Sequence, residues 1–78
     1  MSVSAYILIE TEMGKAGEVA RAIRTLAGIN AADDVTGPYD IVVRAEAADL
    51  DQLGRAVLSQ IQTIPGFTRT VTCPVVHL

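Results

Sequence analysis

Apolar and polar residues repeat with two different periods along the chain, and these periods divide it into six elements. β-Branched and apolar runs typical of strands occupy residues 4–12, 29–36, 40–46 and 67–76. Residues 15–27 and 49–64 instead place an apolar side chain at every third or fourth position, as an amphipathic helix does. The predicted order is therefore strand, helix, strand, strand, helix, strand.

Glycine, proline and a capping residue mark the ends of these elements. Gly28 ends the first helix, and the Pro-Gly pair at residues 65–66 ends the second. Asp49 stands at the N-cap of the second helix, with Gln52 three residues later as in a capping box. The Gly-Pro-Tyr run at residues 37–39 predicts a hairpin between the second and third strands.

The two halves of the chain resemble each other. A shift of 38 positions lays Val19 on Val57 and Gly28 on Gly66. Two split β-α-β units with right-handed crossovers predict a ferredoxin-like α+β fold, a four-stranded antiparallel sheet with both helices on one face. Pro74 inside the last strand indicates an edge strand or a bulge. The elements leave no room for a second unit, so residues 1–78 are one domain.

The strands are apolar on both of their faces. In the first strand Ile7 alternates with Tyr6 and Leu8, and in the third Val43 is followed on the opposite face by Val42. Two helices cover only one face of a sheet, so the second face carries apolar side chains that a monomer leaves in water. The pattern predicts a homo-oligomer in which two sheets pack face to face.

Composition and charge exclude several classes of protein. Half of the residues are apolar and 19% are charged, which excludes a disordered chain. The formal net charge is −3 and the six basic residues are scattered, so we expect no direct contact with nucleic acid. Neither a signal peptide nor a membrane span is recognisable, and we expect a cytoplasmic protein.

The residues that could support catalysis or bind a metal have simpler explanations. Cys73 could act as a nucleophile with His77, but a small buried thiol in a strand and a solvated terminal histidine are more common. The sequence therefore predicts no catalytic residue, no metal and no cofactor. A charged sheet edge, rather than a metal or acid–base site, accounts for four carboxylates: Glu10, Glu12, Asp33 and Asp34.

Three motifs resemble one known family. Residues 34–40 read Asp-Val-Thr-Gly-Pro-Tyr-Asp, residues 64–67 read Ile-Pro-Gly-Phe, and residues 68–72 read Thr-Arg-Thr-Val-Thr. In this order they resemble the effector-binding (RAM) domain of the Lrp/AsnC family, with its Gly-x-aromatic-Asp turn, its Pro-Gly-Val break and its Thr-rich last strand. Members usually begin with a helix-turn-helix domain, whereas this chain opens on the first strand. We therefore expect a stand-alone effector domain.

The resemblance implies a function and a site. It implies dimerisation through the sheets, assembly into rings often of eight subunits, and an amino acid bound at the interface between dimers. We expect the module to regulate by assembly, by mixing with full-length transcription regulators of the family that bind DNA. Asp40 would accept hydrogen bonds from the ammonium group, and N–H groups around Gly37 would donate to the carboxylate. By resemblance the ligand contacts are Gly37, Tyr39, Asp40, Thr70 and Thr72.

Two other functions fit the same order of elements. A small ferredoxin-like dimeric enzyme of the monooxygenase or isomerase type would need a base, and the single histidine lies at the end of the chain. An ACT-like amino-acid-binding regulator would carry a glycine after the first strand, where residues 13–15 read Met-Gly-Lys. The predicted site also has a simpler reading, since residues 37–40 suit an ordinary turn and Thr70 and Thr72 suit any strand.

Overall fold

Six elements follow one another in the predicted order in the computed structural model, which describes residues 2–77. The strands are β1 (Val3–Thr11), β2 (Ile29–Asp34), β3 (Ile41–Ala47) and β4 (Phe67–Pro74). The helices are α1 (Ala16–Arg24) and α2 (residues 50–61). The first and last residues of each strand and helix lie within three positions of the predicted ones. No helix in the described part of the chain is long and apolar enough to cross a membrane.

The four strands form one antiparallel sheet in the order β2-β3-β1-β4. This arrangement confirms the predicted ferredoxin-like fold, and it places β4, which contains Pro74, at an edge of the sheet. Both helices pack on one face of the sheet. Apolar side chains of the strands and of both helices are buried between them. The largest fully buried side chains are Ile7, Ile9, Ile23, Ile41, Leu53, Ile61, Val19, Val43 and Val57.

The second helix contains a wide turn that the sequence pattern did not predict. Asp49 caps the helix as expected, because its Oδ1 accepts a hydrogen bond from the Gln52 N–H at 2.8 Å. Leu53–Leu58 is π-helical, and the Ser59 N–H donates to the Gly54 carbonyl, five residues back. In an α-helix, side chains four residues apart point in directions that differ by about 40° around the helix axis. A wider turn contains more residues per turn, so side chains four apart point in more nearly the same direction. The result is one buried row: Leu53, Val57 and Ile61.

The internal duplication is visible in how the halves contact each other. Gly28 and Gly66, which follow the two helices, have φ values of +85° and +104°. A Cβ atom at Gly28 would lie 3.1 Å from Cγ2 of Val57, and one at Gly66 would lie 3.1 Å from Cγ2 of Val19. Gly28 and Gly66 are 38 positions apart, and so are Val19 and Val57, so the two contacts are equivalent under the internal repeat. Each half therefore packs its glycine against the helix of the other half.

Replacing Gly28 by Ala should lower the free energy of unfolding by about 2–4 kcal/mol. The new Cβ would lie only 3.0 Å from the Glu46 carbonyl oxygen, in addition to its contact with Val57. Gly14→Ala is the matched control, since its φ of +80° is similar but a Cβ there meets nothing within 4 Å. The control should lose only about 1 kcal/mol. Equal losses in urea unfolding at one protein concentration would show that the packing at Gly28 contributes nothing.

A β-bulge near the start of β4 changes which way its side chains point. Glu10 and Thr11 are consecutive on β1, yet their partners on β4 are Arg69 and Phe67, so the residue between these two is extra. Phe67 consequently packs against the core, while Arg69 lies on the opposite face beside Glu10. The same irregularity occurs in β2, where Asn30 is the extra residue, 38 positions earlier.

Candidate functional site

The turn between β2 and β3 lies where β1 ends and β4 begins. Its base is closed by backbone hydrogen bonds: the Val35 N–H donates to the Asp40 carbonyl at 2.9 Å, and the Asp40 N–H donates to the Ile9 carbonyl at 2.9 Å. Gly37, with φ of +130°, is exposed at the tip. The turn is thus fixed to the sheet at its base and open to solvent at its tip.

The Asp40 carboxylate joins this turn to the end of β1. Its Oδ2 accepts a hydrogen bond from the Thr11 N–H at 2.8 Å and another from the Thr11 hydroxyl at 3.2 Å. Asp40 itself is half-buried. Its second oxygen, Oδ1, has no donor among residues 2–77, and it is the atom of this carboxylate that is left to accept a hydrogen bond from a ligand. Nothing in the sequence predicted the contact between Asp40 and Thr11.

Tyr39 contacts a basic side chain from β4. The Arg69 guanidinium lies 6.0 Å from the centroid of the Tyr39 ring, and its Nη2 is 3.5 Å from the Tyr39 hydroxyl. Nη1 of Arg69 lies 3.5 Å from Oε2 of Glu10. Arg69 belongs to the Thr-Arg-Thr-Val-Thr run, but it was not among the predicted ligand residues. The strand register that places Arg69 beside Glu10 and the turn is not visible in the sequence.

The two predicted threonines lie on the other side of the sheet from Arg69. Thr70 and Thr72 pair with Ile9 and Ile7, which are fully buried beneath the helices, and both threonines are half-buried. Strand β1, which contains Ile9, lies between Thr70 on β4 and the turn that leads into β3. Thr70 and the turn are therefore separated by two strand spacings, about 10 Å. A single chain therefore brings Gly37, Tyr39 and Asp40 together and holds the threonines apart from them.

Two surface hollows among residues 2–77 lie away from the predicted ligand residues. One of about 360 Å³ follows β2 and includes Arg24. Another of about 370 Å³ lies between the end of β3 and the start of α2. None of the five predicted ligand residues lines either hollow. Because a small-molecule site usually buries most of its ligand, the open turn needs a further surface to enclose one.

Several side chains differ from their predicted surroundings. Cys73 is exposed, and the prediction of a buried thiol is wrong because β4 is an edge strand and residue 73 points away from the helices, beside Tyr6. Glu10 lies on the inner strand β1 rather than at a sheet edge. His77 is exposed, as predicted. No group of three or more His, Cys, Asp or Glu residues within residues 2–77 could hold a metal ion.

Comparison with known proteins decides among the functions considered. The model of the Lrp/AsnC ligand binding domain matches residues 4–77. The chain belongs to the Lrp/AsnC family. As a member of this family it is a regulatory effector-binding module and not an enzyme, which sets aside the monooxygenase-like and isomerase-like alternatives.

Relatives of the Lrp/AsnC chain include both longer and similarly sized proteins. An HTH-type transcriptional regulator of Pyrococcus furiosus, PF0250, is 28% identical over 75 residues, which are 92% of this chain and 50% of that regulator. The chain thus spans about half the length of the curated relatives it matches. TTHA0845 from Thermus thermophilus has a TM-score of 0.90 and 28% identity over 97% of this chain and 95% of its own.

A third similar protein shares the fold of the Lrp/AsnC chain at lower sequence identity. It is the transcriptional regulator NMB0573 of Neisseria meningitidis, solved as a complex with L-Met. Its TM-score is 0.83 and its identity 19%, over 96% of this chain and 50% of that protein.

Proposed function

We propose that this Lrp/AsnC chain binds an amino acid at the Gly37–Asp40 turn, in a site that a second subunit completes. The observation that carries the proposal is the Asp40 carboxylate, which is held through Oδ2 by Thr11 and has Oδ1 left over beside an open turn. That oxygen accepts hydrogen bonds from the ammonium group, and N–H groups near Gly37 donate to the carboxylate. The complex of the Neisseria regulator with L-Met supports an amino acid as the effector.

A different neighbour, the partner within a dimer, packs on the sheet face that carries no helices, here named the open face: Tyr6, Leu8, Val42, Arg44, Val71 and Cys73. The strand register aligns an apolar row across its middle, formed by Val42, Leu8 and Val71, and all three side chains are half-buried in the single chain. A second copy packed face to face removes this row from water.

Charges at one end of that row suit a two-fold contact between identical faces. Arg44 donates to the Tyr6 hydroxyl at 2.6 Å and lies over its ring. At the same end, hydrogen bonds from Ser2 and Asn30 lower the pKa of the Glu46 carboxyl. This end of the face therefore carries both signs, which suits an isologous dimer in which opposite charges meet.

The assembled module acts on transcription in the cytoplasm, through regulators of its own family. The match to one half of an HTH-type regulator supports this proposal, because that half is the part of the regulator that is similar to this chain. Assembly of such dimers into a ring, for example an octamer, places a turn of one subunit next to a neighbouring dimer. In that arrangement Thr70 and Thr72 of an adjacent subunit complete the ligand site.

A thermal-shift panel of the twenty amino acids tests the proposed function. At a ligand concentration of about 100 Kd, mass action stabilises the native state by about 2.7 kcal/mol, which raises the Tm of a chain this small by about 10 °C. We expect such a shift for one or a few amino acids and none for the rest. A flat panel at millimolar concentrations would contradict an amino-acid effector.

A further inference from the structure

Arg69 is the basic side chain that contacts the proposed ligand turn. Its guanidinium lies 3.5 Å from the Tyr39 hydroxyl, and Tyr39 precedes Asp40 in the turn. Four of the other five basic side chains are engaged elsewhere. Lys15 pairs with Glu18, Arg24 donates to the Ala32 carbonyl, Arg44 contacts Tyr6, and Arg55 pairs with Asp51.

The pairing of β4 with β1 places Arg69 beside Glu10, and the bulge allows this while Phe67 lies on the opposite face. Without the extra residue, Arg69 and Phe67 would lie on the same face, so either Phe67 would leave the core or Arg69 would point to the helices. With it, Phe67 stays in the core while Arg69 turns toward Glu10 and Tyr39. Bulges often redirect a side chain next to a functional site.

The guanidinium is oriented but far from saturated by these contacts. Both of its polar neighbours, Oε2 of Glu10 and the Tyr39 hydroxyl, lie at 3.5 Å. Its side chain is 63% exposed. A guanidinium carries five N–H donors in a planar fork, which matches the two oxygens of a carboxylate. Arg69 therefore has donors free to form a bidentate contact at the edge of the turn.

We propose that Arg69 binds the carboxylate of the effector and makes the site selective for ligands with a free α-carboxylate. The proposal rests on the proposed function, since it concerns the same turn. Asp40 takes the ammonium group and Arg69 the carboxylate, with Tyr39 connecting the two residues. The site then discriminates an amino acid from its amide, which keeps the ammonium group and the side chain but loses the anion.

The test is calorimetric titration with each amino acid that shifts the Tm in the panel, and with the C-terminal amide of the same amino acid. The unmodified protein should bind the acid at least about tenfold more tightly than the amide, the scale of a charged hydrogen bond. Arg69→Gln should lose at least about tenfold for the acid and most of its preference over the amide, since only the N–H groups near Gly37 still donate to the carboxylate. Arg69→Lys should keep part of the preference, because it keeps the charge and loses the fork.

Arg55→Gln is the matched control, since Arg55 is 78% exposed and pairs with Asp51 on α2, away from the turn. It should behave as the unmodified protein does. An Arg69→Gln variant that keeps the preference for the acid would overturn the role of Arg69 while leaving amino-acid binding intact. Equal losses for acid and amide would show a structural role and overturn it as well. An unmodified protein that binds none of the twenty amino acids would overturn both proposals.

Discussion

Replacing Leu8 by Glu should convert the protein from an oligomer into monomers. Leu8 lies in the middle of the open face, with Val42 and Val71 as its cross-strand neighbours. In a face-to-face dimer the substitution buries one unpaired carboxylate from each subunit, and each costs several kcal/mol. The dissociation constant should rise by at least about a hundredfold. Sedimentation velocity at micromolar concentration measures the change, with the unmodified protein expected to be at least a dimer.

Met13→Glu is the control for the added charge. Met13 is fully exposed in the loop after β1 and lies outside the open face. Its variant should sediment as the unmodified protein does. Circular dichroism distinguishes a folded Leu8→Glu monomer from an unfolded chain, and Tyr6→Glu at the rim of the same face provides a second variant. A well-folded monomeric unmodified protein at micromolar concentration would disprove the assembly through the open face.

Replacing Asp40 by Asn should weaken amino-acid binding at least about tenfold, because an ionic hydrogen bond of about 1.5–3 kcal/mol to the ammonium group is lost. The asparagine side-chain oxygen is still able to accept from the Thr11 N–H, which is 2.8 Å from Asp40 Oδ2. Asp40→Ala is a poorer probe of binding. It removes the acceptor of both Thr11 hydrogen bonds and should lower the free energy of unfolding by about 1–3 kcal/mol.

Asp33→Asn removes the same charge from an exposed position on β2, outside the turn. Calorimetry with the amino acid selected by the thermal-shift panel should show a loss for Asp40→Asn and none for Asp33→Asn. Unchanged affinity in Asp40→Asn would refute the assignment of Asp40. Equal losses in both variants would instead indicate long-range electrostatics.

Local pattern was enough to predict the elements and the fold. The alternation of Ile7 with Tyr6 and Leu8 reports the two faces of a strand, and Asp49 with Gln52 reports a helix start. These signals lie within a few residues of one another, so they are readable in one dimension. The two-sided apolar strands likewise indicated an oligomer, and the repeated Gly28 and Gly66 indicated a duplication that the packing of each half against the other confirms.

Tertiary structure alone decided which side chains surround the turn. The Asp40 carboxylate is held by Thr11, which is 29 positions away, and Tyr39 contacts Arg69, which is 30 positions away. The extra residue between Phe67 and Arg69 puts these two side chains on opposite faces, and the edge position of β4 exposes Cys73. Periodicity determines the two faces within a strand. The neighbour of a strand and the register of their pairing depend on energies summed over the whole sheet. No local stretch of sequence contains these energies.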